Sequence, residues 1–261
     1  MKILSFASGK GGVGKSSIAL NLAISLSKYK SVTLIDADLG LSNINIMLGV
    51  FPKYNMYHLL LGEKNIEDII SITDIGLKFI GGANGFSALT NLSDKNREDF
   101  IKQFEKLNDD ILIFDSGAGI SKQVTSFLLP SDEIFIITTS EPTAISCAYG
   151  LIKAIKNETD EKLNINLIVN RVSSIVEAKK VANKIIKLSK DFMDADVKYF
   201  GFIYEDECVR NAILQQKPFI EIYKKSKVSD CVNNIAKQIL NIKKEEKGIK
   251  FFIDSIFKKN N

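Results

Sequence analysis

G-K-G-G-V-G-K-S, residues 9–16, follows a β-rich apolar run at 2–7 and opens a stretch of helical period at 15–28. Strand, glycine loop and helix start, in that order, are the context in which G-x-x-x-x-G-K-[ST] reads as a phosphate loop rather than a glycine-rich turn with incidental lysines. Gly9, Gly11, Gly12 and Gly14 let the backbone wrap a phosphate that a Cβ would obstruct. The loop amides then point inward, and the helix adds the positive end of its dipole. Lys15 is placed to bridge the β- and γ-phosphates of ATP, and the Ser16 hydroxyl to bind Mg2+. With Val13 and Ser17 these residues make Gly9–Ser17 the candidate nucleotide site.

Outward from the loop, short apolar runs alternate with helical patterns. The runs are 2–7, 32–36, 77–81, 110–115, 133–138, 164–170 and 197–203; the helical stretches are 15–28, 94–107, 143–156, 174–190 and 227–241. This alternation predicts an α/β fold, a mostly parallel sheet with helices on both faces, as in P-loop NTPases. I-L-I-F at 111–114 is apolar without alternation, as a strand covered on both sides requires.

The chain has 261 residues, 45% of them apolar, enough for one sizeable core. No basic-then-apolar leader opens it, and no window reaches the ~18 apolar residues of a spanning helix. Cys147, Cys208 and Cys231 are far apart, so reduced thiols and a cytoplasmic location are expected. With only one histidine, His58, beside these scattered cysteines, a metal site is not expected from this composition. The formal charge is +4; residues 243–259 carry six lysines against Glu245, Glu246 and Asp254, a net +3, so the body holds about +1. The composition shift near Asn241 divides the chain into an expected ATPase domain, 1–241, and a tether with a C-terminal helix, 242–261.

Two strand ends carry carboxylates. L-I-D-A-D-L-G-L-S-N at 34–43 places Asp36 and Asp38 where an open parallel sheet binds ligands. At i and i+2 in extended chain they point the same way, toward the γ-phosphate, although either one also suits a helix N-cap. The run 110–115 ends in Asp115, followed by S-G-A-G-I-S, the arrangement that holds Mg2+ directly or through water. Gly117 and Gly119 predict a mobile sensor loop after it.

Lys10, directly after the first glycine, gives K-G-G-x-G-K-[ST], and with it the sequence resembles the MinD/ParA family of deviant Walker A ATPases. D-A-D-L-G-L-S-N-I-N-I-M-L-G (36–49), D-S-G-A-G-I-S (115–121) and T-T-S-E-P-T-A-I-S-C-A-Y (138–149) look most like FlhG, the flagellar-number relative of MinD. The resemblance covers about 2–240. It implies Mg2+-dependent ATP hydrolysis in a homodimer, with Lys10 reaching the partner's phosphates, Asp38 orienting the attacking water, and Asp36 supporting a metal site formed with Ser16 and Asp115. It also implies base contacts from Asn170 and Arg171 in V-N-R and from Tyr204, Glu205 and Asp206 in G-F-I-Y-E-D, where Tyr204 replaces the usual proline. The sequence starts at the first strand, so the FlhF-activating extension of many FlhG proteins is not carried over.

In G-I-K-F-F-I-D-S-I-F-K-K (248–259), Ile249, Phe252, Ile253, Ile256 and Phe257 form one helical stripe beside lysines. Such a segment reads as an anchor for an anionic membrane surface, or as a terminal helix docked on its own domain. The leading expectation is a spatial or numerical regulator that cycles between cytoplasm and the inner face of the membrane, with a FlhF-like or MinE-like activating protein. The runner-up is a ParA-like partitioning ATPase on DNA, for which Lys180, Lys184 and Lys187 offer a basic stripe. A biosynthetic ligase is a third class, for which no substrate pocket is legible.

Overall fold

A computed structural model describes residues 1–38, 43–82, 99 and 102–242. Its strands are β1 (Lys2–Ser8), β2 (Val32–Ala37), β3 (Ile70–Ile72), β4 (Lys78–Ile80), β5 (Ile111–Ala118), β6 (Glu133–Thr138), β7 (Ile165–Val172) and β8 (Val197–Tyr204). They form one sheet in the order β3-β4-β2-β5-β1-β6-β7-β8. Every pairing among the described residues is parallel except β3 with β4. The helices are α1 (Lys15–Ser27), α2 (Ile44–Leu48), α3 (Met56–Leu60), α4 (Ile66–Ile69), α5 (Lys122–Leu128), α6 (Pro142–Glu158), α7 (Ile175–Met193), α8 (Glu207–Leu214), α9 (Phe219–Ile222) and α10 (Lys227–Ile239).

Both faces of the sheet are covered. On one, Leu4, Phe6, Leu34 and Ile113 pack with α1 and α10. On the other, Ile134, Ile136, Leu167 and Val169 pack with α6 and α7, and Ile35, Ile80 and Leu112 with α3 and α4. Each fully buried Leu, Ile or Val contributes about 1.5–3 kcal/mol. α1 is buried without a break from Ile18 to Leu26, since α10 closes the side that a surface helix would leave to water. That burial fixes the phosphate-loop helix rigidly at the middle of the sheet.

Strand β1 lies between β5 and β6. From it the chain first crosses to one side, toward β2, and later strands continue on the other. Its carboxyl end is therefore a topological switch point, where open α/β sheets bind ligands.

The seven expected strands are present within two or three residues, and four of the five expected helices match. Half of the fifth, 94–107, lies outside the described residues; of the rest, 99 and 102–105 are helical. Two expectations change. Strand β3 is additional, a three-residue antiparallel edge too short to show a period. Strand β5 does not end at Asp115 but runs to Ala118, because Ser116 pairs with Ala37 and Ala118 with Ser8. Gly117 thus belongs to the strand, and only Gly119 (φ 111°) sits in the turn expected to be a mobile loop.

Candidate functional site

The β1–β5 register slips between Phe6 and Ser8, and there the chain leaves the sheet for the glycine loop. Two contacts tie that exit to the end of β5: the Ser116 hydroxyl donates to the Phe6 carbonyl at 2.8 Å, and the Gly119 amide to that of Ser8 at 2.8 Å. Gly14 is the N-cap of α1 at φ 91°, a left-handed conformation. A Cβ there would also stand 2.4 Å from Asn170 Nδ2.

Gly9 is constrained by packing. A Cβ would lie 2.1 Å from the Cys147 carbonyl oxygen on α6 and 2.3 Å from its carbon, both backbone atoms. Gly9→Ala is therefore expected to cost about 1–3 kcal/mol of stability, the range for overpacking, and to weaken nucleotide affinity as the loop shifts. Denaturant unfolding with calorimetry checks this; wild-type values in both would contradict the packing account.

Lys15 turns back over the loop to the carboxyl end of β5. Its Nζ donates to Asp115 Oδ1 at 2.6 Å and to Ser16 Oγ at 3.1 Å. Lys15 is 6% exposed and Asp115 1%. Burial pushes the Asp115 carboxyl above its ordinary pKa, the Lys15 ammonium opposes that, and the charge of Asp38 adds to the rise. Asp36 pairs with Asp115 across β2 and β5, fully buried, and its Oδ1 accepts the Asp38 amide at 3.0 Å. Asp38 has left the strand and lines a small cavity of about 180 Å³ with Gly117, Ala118 and Ser121. The structure thus brings Lys15, Ser16, Asp36, Asp38 and Asp115 to one crevice. Neither aspartate caps α2, whose N-cap is Asn43.

The donor set suits Mg2+. Among the described residues Asp115 Oδ2 is buried with no hydrogen-bond partner, and the Ser16 hydroxyl bears on the same carboxyl. Among the described residues no three His, Cys, Asp or Glu side chains form a cage. A cation here would rest on one hydroxyl, one or two carboxylates and substrate phosphates, as Mg2+ does in sites of this kind.

A second cavity, about 560 Å³, opens beside the start of α1. Gly14 and Ser17 line it on one side, Asn170, Arg171 and Tyr204–Asp206 on the other. All five residues expected at a base therefore converge. A register irregularity of β7 between Val169 and Val172 places them, with Arg171 in the left-handed region at φ 54°. Asn170 Nδ2 donates to the Val13 carbonyl at 2.7 Å and so joins this cavity to the phosphate loop. Asp206 accepts the Cys208 amide as the N-cap of α8, so one of its oxygens serves the helix. The outer wall, with Arg210, Leu214 and Phe219, had no sequence signal beyond short apolar stretches.

Lys10 lies apart from this crevice. Its Nζ donates to Glu141 Oε2 at 2.6 Å and to Thr143 Oγ1 at 3.0 Å, at the start of α6.

The CobQ/CobB/MinD/ParA nucleotide binding domain matches residues 4–219. The chain belongs to this family. Within it, the chain is 31% identical over 242 residues to the antiactivator FleN of Pseudomonas aeruginosa, across 92% of this chain and 86% of that one. It is 33% identical over 270 residues to the flagellum site-determining protein YlxH of Helicobacter pylori, across 98% and 90%. The fold is that of MinD from Pyrococcus horikoshii complexed with Mg-ADP (TM-score 0.73, 24% identity, 95% of this chain and 98% of that one). A chain of the Aquifex aeolicus MinC:MinD cell division complex is similar at TM-score 0.75 and 24% identity, over 92% and 96%.

Proposed function

We propose that this protein is an ATP-switched dimeric ATPase that acts as a spatial or numerical regulator at the membrane, in flagellar or division-site placement. The observation that carries the reading is the convergence of Lys15, Ser16, Asp36, Asp38 and Asp115 on the phosphate loop, in a chain similar to FleN and YlxH over nearly its whole length. Lys15 exchanges Asp115 for the β- and γ-phosphates when nucleotide binds. Ser16 and Asp115, supported by Asp36, would hold Mg2+, which would supply positive charge against the phosphates. Asp38 orients the attacking water, Lys10 reaches the phosphates of a second copy, and the base lies in the 560 Å³ cavity. An activating protein completes the cycle.

Attachment is assigned to the tail. Residues 243–261 lie outside the described residues, so this part rests on the sequence stripe Ile249, Phe252, Ile253, Ile256 and Phe257. One such helix binds weakly, and two on a dimer gain about 10²–10⁴ in avidity. No helix among the described residues is long and apolar enough to cross a membrane.

Co-sedimentation with anionic vesicles is the test. The full chain is expected to pellet with ATP and not with ADP, while Phe252→Glu and a chain stopped at Asn241 stay in solution. Equal pelleting of the truncated chain contradicts the anchor. The ParA-like reading keeps one observation in its favour, since Lys180, Lys184 and Lys187 are exposed on α7. ATP-dependent pelleting with DNA in place of vesicles would favour it.

A further inference from the structure

Lys10 stands at the junction of a fixed and a free part of the phosphate loop. Before it, Gly9 is locked against the Cys147 carbonyl. After it, a Cβ at Gly11 or Gly12 would meet nothing within 4 Å. The loop beyond Lys10 therefore leaves open space beside it, with room for a different side-chain position. What holds Lys10 is the start of α6, through Glu141 at 2.6 Å and Thr143 at 3.0 Å.

That position is electrostatically poor for a cation. The first turn of a 17-residue helix is the positive end of its dipole. Arg171 adds a second positive charge near Glu141. The carboxylate of Glu141 therefore supplies the attraction that keeps Lys10 there. Glu141 is the N-cap residue of α6, but its side chain makes no capping hydrogen bond, and it is 54% exposed. Holding Lys10 is its side-chain contact in this structure, not support of the helix.

We propose that Glu141, assisted by Thr143, is a latch that holds Lys10 in cis and opposes pairing with a second copy of the chain. This rests on the proposed ATP-dependent dimer, in which Lys10 must leave its own subunit to reach the partner's phosphates. Each protomer breaks one latch on pairing. The latch thus sets how high the protein concentration must be before nucleotide drives dimerisation.

The size of the effect follows from the exposure of the pair. An exposed ion pair shifts an equilibrium by at most a factor of about five. Two latches open per symmetric dimer, so the factors multiply to about 25. Salt screens such a pair, so the effect must shrink as ionic strength rises.

Sedimentation velocity of the full chain with Mg2+ and a non-hydrolysable ATP analogue reads this directly. Glu141→Gln is expected to lower the dimer dissociation constant by up to about 25-fold at low salt, converging on wild type at high salt. Thr143→Val is expected to shift it the same way by less. If Glu141→Gln dimerises no better than wild type, or worse, Glu141 is not a latch and serves the dimer or nothing. If wild type itself stays monomeric at saturating analogue, the dimer reading fails and takes the latch with it.

Discussion

Lys15→Ala is expected to lower ATP affinity by about 100-fold or more and to destabilise the fold in the absence of nucleotide. The first effect follows from removing the side-chain cation proposed to meet the β/γ-phosphates, since a hydrogen bond to a charged group is worth up to about 3 kcal/mol. The second follows from the partner left behind. Asp115 is 1% exposed and its charge is balanced by Lys15 at 2.6 Å. Breaking a buried pair from one side typically costs about 3–5 kcal/mol. Asp115 already has its pKa raised from the ordinary 3.8 by burial, and without the lysine the rise is larger. A carboxyl with a raised folded-state pKa contributes stability that is fully present below 3.8 and lost as pH rises through the folded value. The deficit of Lys15→Ala against wild type should therefore be smallest at acid pH and grow toward neutrality. Thermal unfolding of both proteins across that range, with calorimetry for ATP, checks both effects. A pH-independent deficit would show that Asp115 is not the group left uncompensated.

Asp38→Ala should separate binding from turnover. Asp38 lies outside the Lys15–Asp115 pair but near enough to raise the Asp115 pKa, beside Gly117 at the mouth of the crevice. If it orients the attacking water, its loss costs about 10²–10⁴ in hydrolysis rate, the usual contribution of a positioned acid or base. ATP affinity should stay within a few-fold of wild type, because the phosphate loop and Lys15 are untouched. Single-turnover hydrolysis and equilibrium binding measure the two quantities. A proportional loss of both would place Asp38 among the binding groups.

The sheet was legible because buried parallel strands announce themselves as unbroken apolar runs, as in I-L-I-F at 111–114, and the phosphate loop because its glycines and Lys15 sit in one contiguous stretch. What the sequence hid is of two kinds. Short elements escaped: β3 is three residues, and α2, α3, α4, α5 and α9 are under two turns, too brief for a period to emerge. Long-range contacts escaped too. Lys10 and Glu141 are 131 residues apart, and Asn170 and Val13 are 157 apart, so no spacing rule joins them. The residues expected at a base were named by resemblance alone; the β7 irregularity beside Asn170 and Arg171 is a backbone feature with no residue signature. The end of β5 was misplaced for a related reason. Glycine at 117 argues for a loop locally, yet pairing of Ser116 with Ala37 and of Ala118 with Ser8 continues the strand.

On the proposed function ATP, and not ADP, makes two copies of this chain one particle. Light scattering of the Asp38→Ala full chain, which is expected to bind ATP without hydrolysing it, measures that directly. Twice the monomer mass is expected with Mg-ATP and the monomer mass with Mg-ADP; the same mass in both would overturn the ATP-switched dimer.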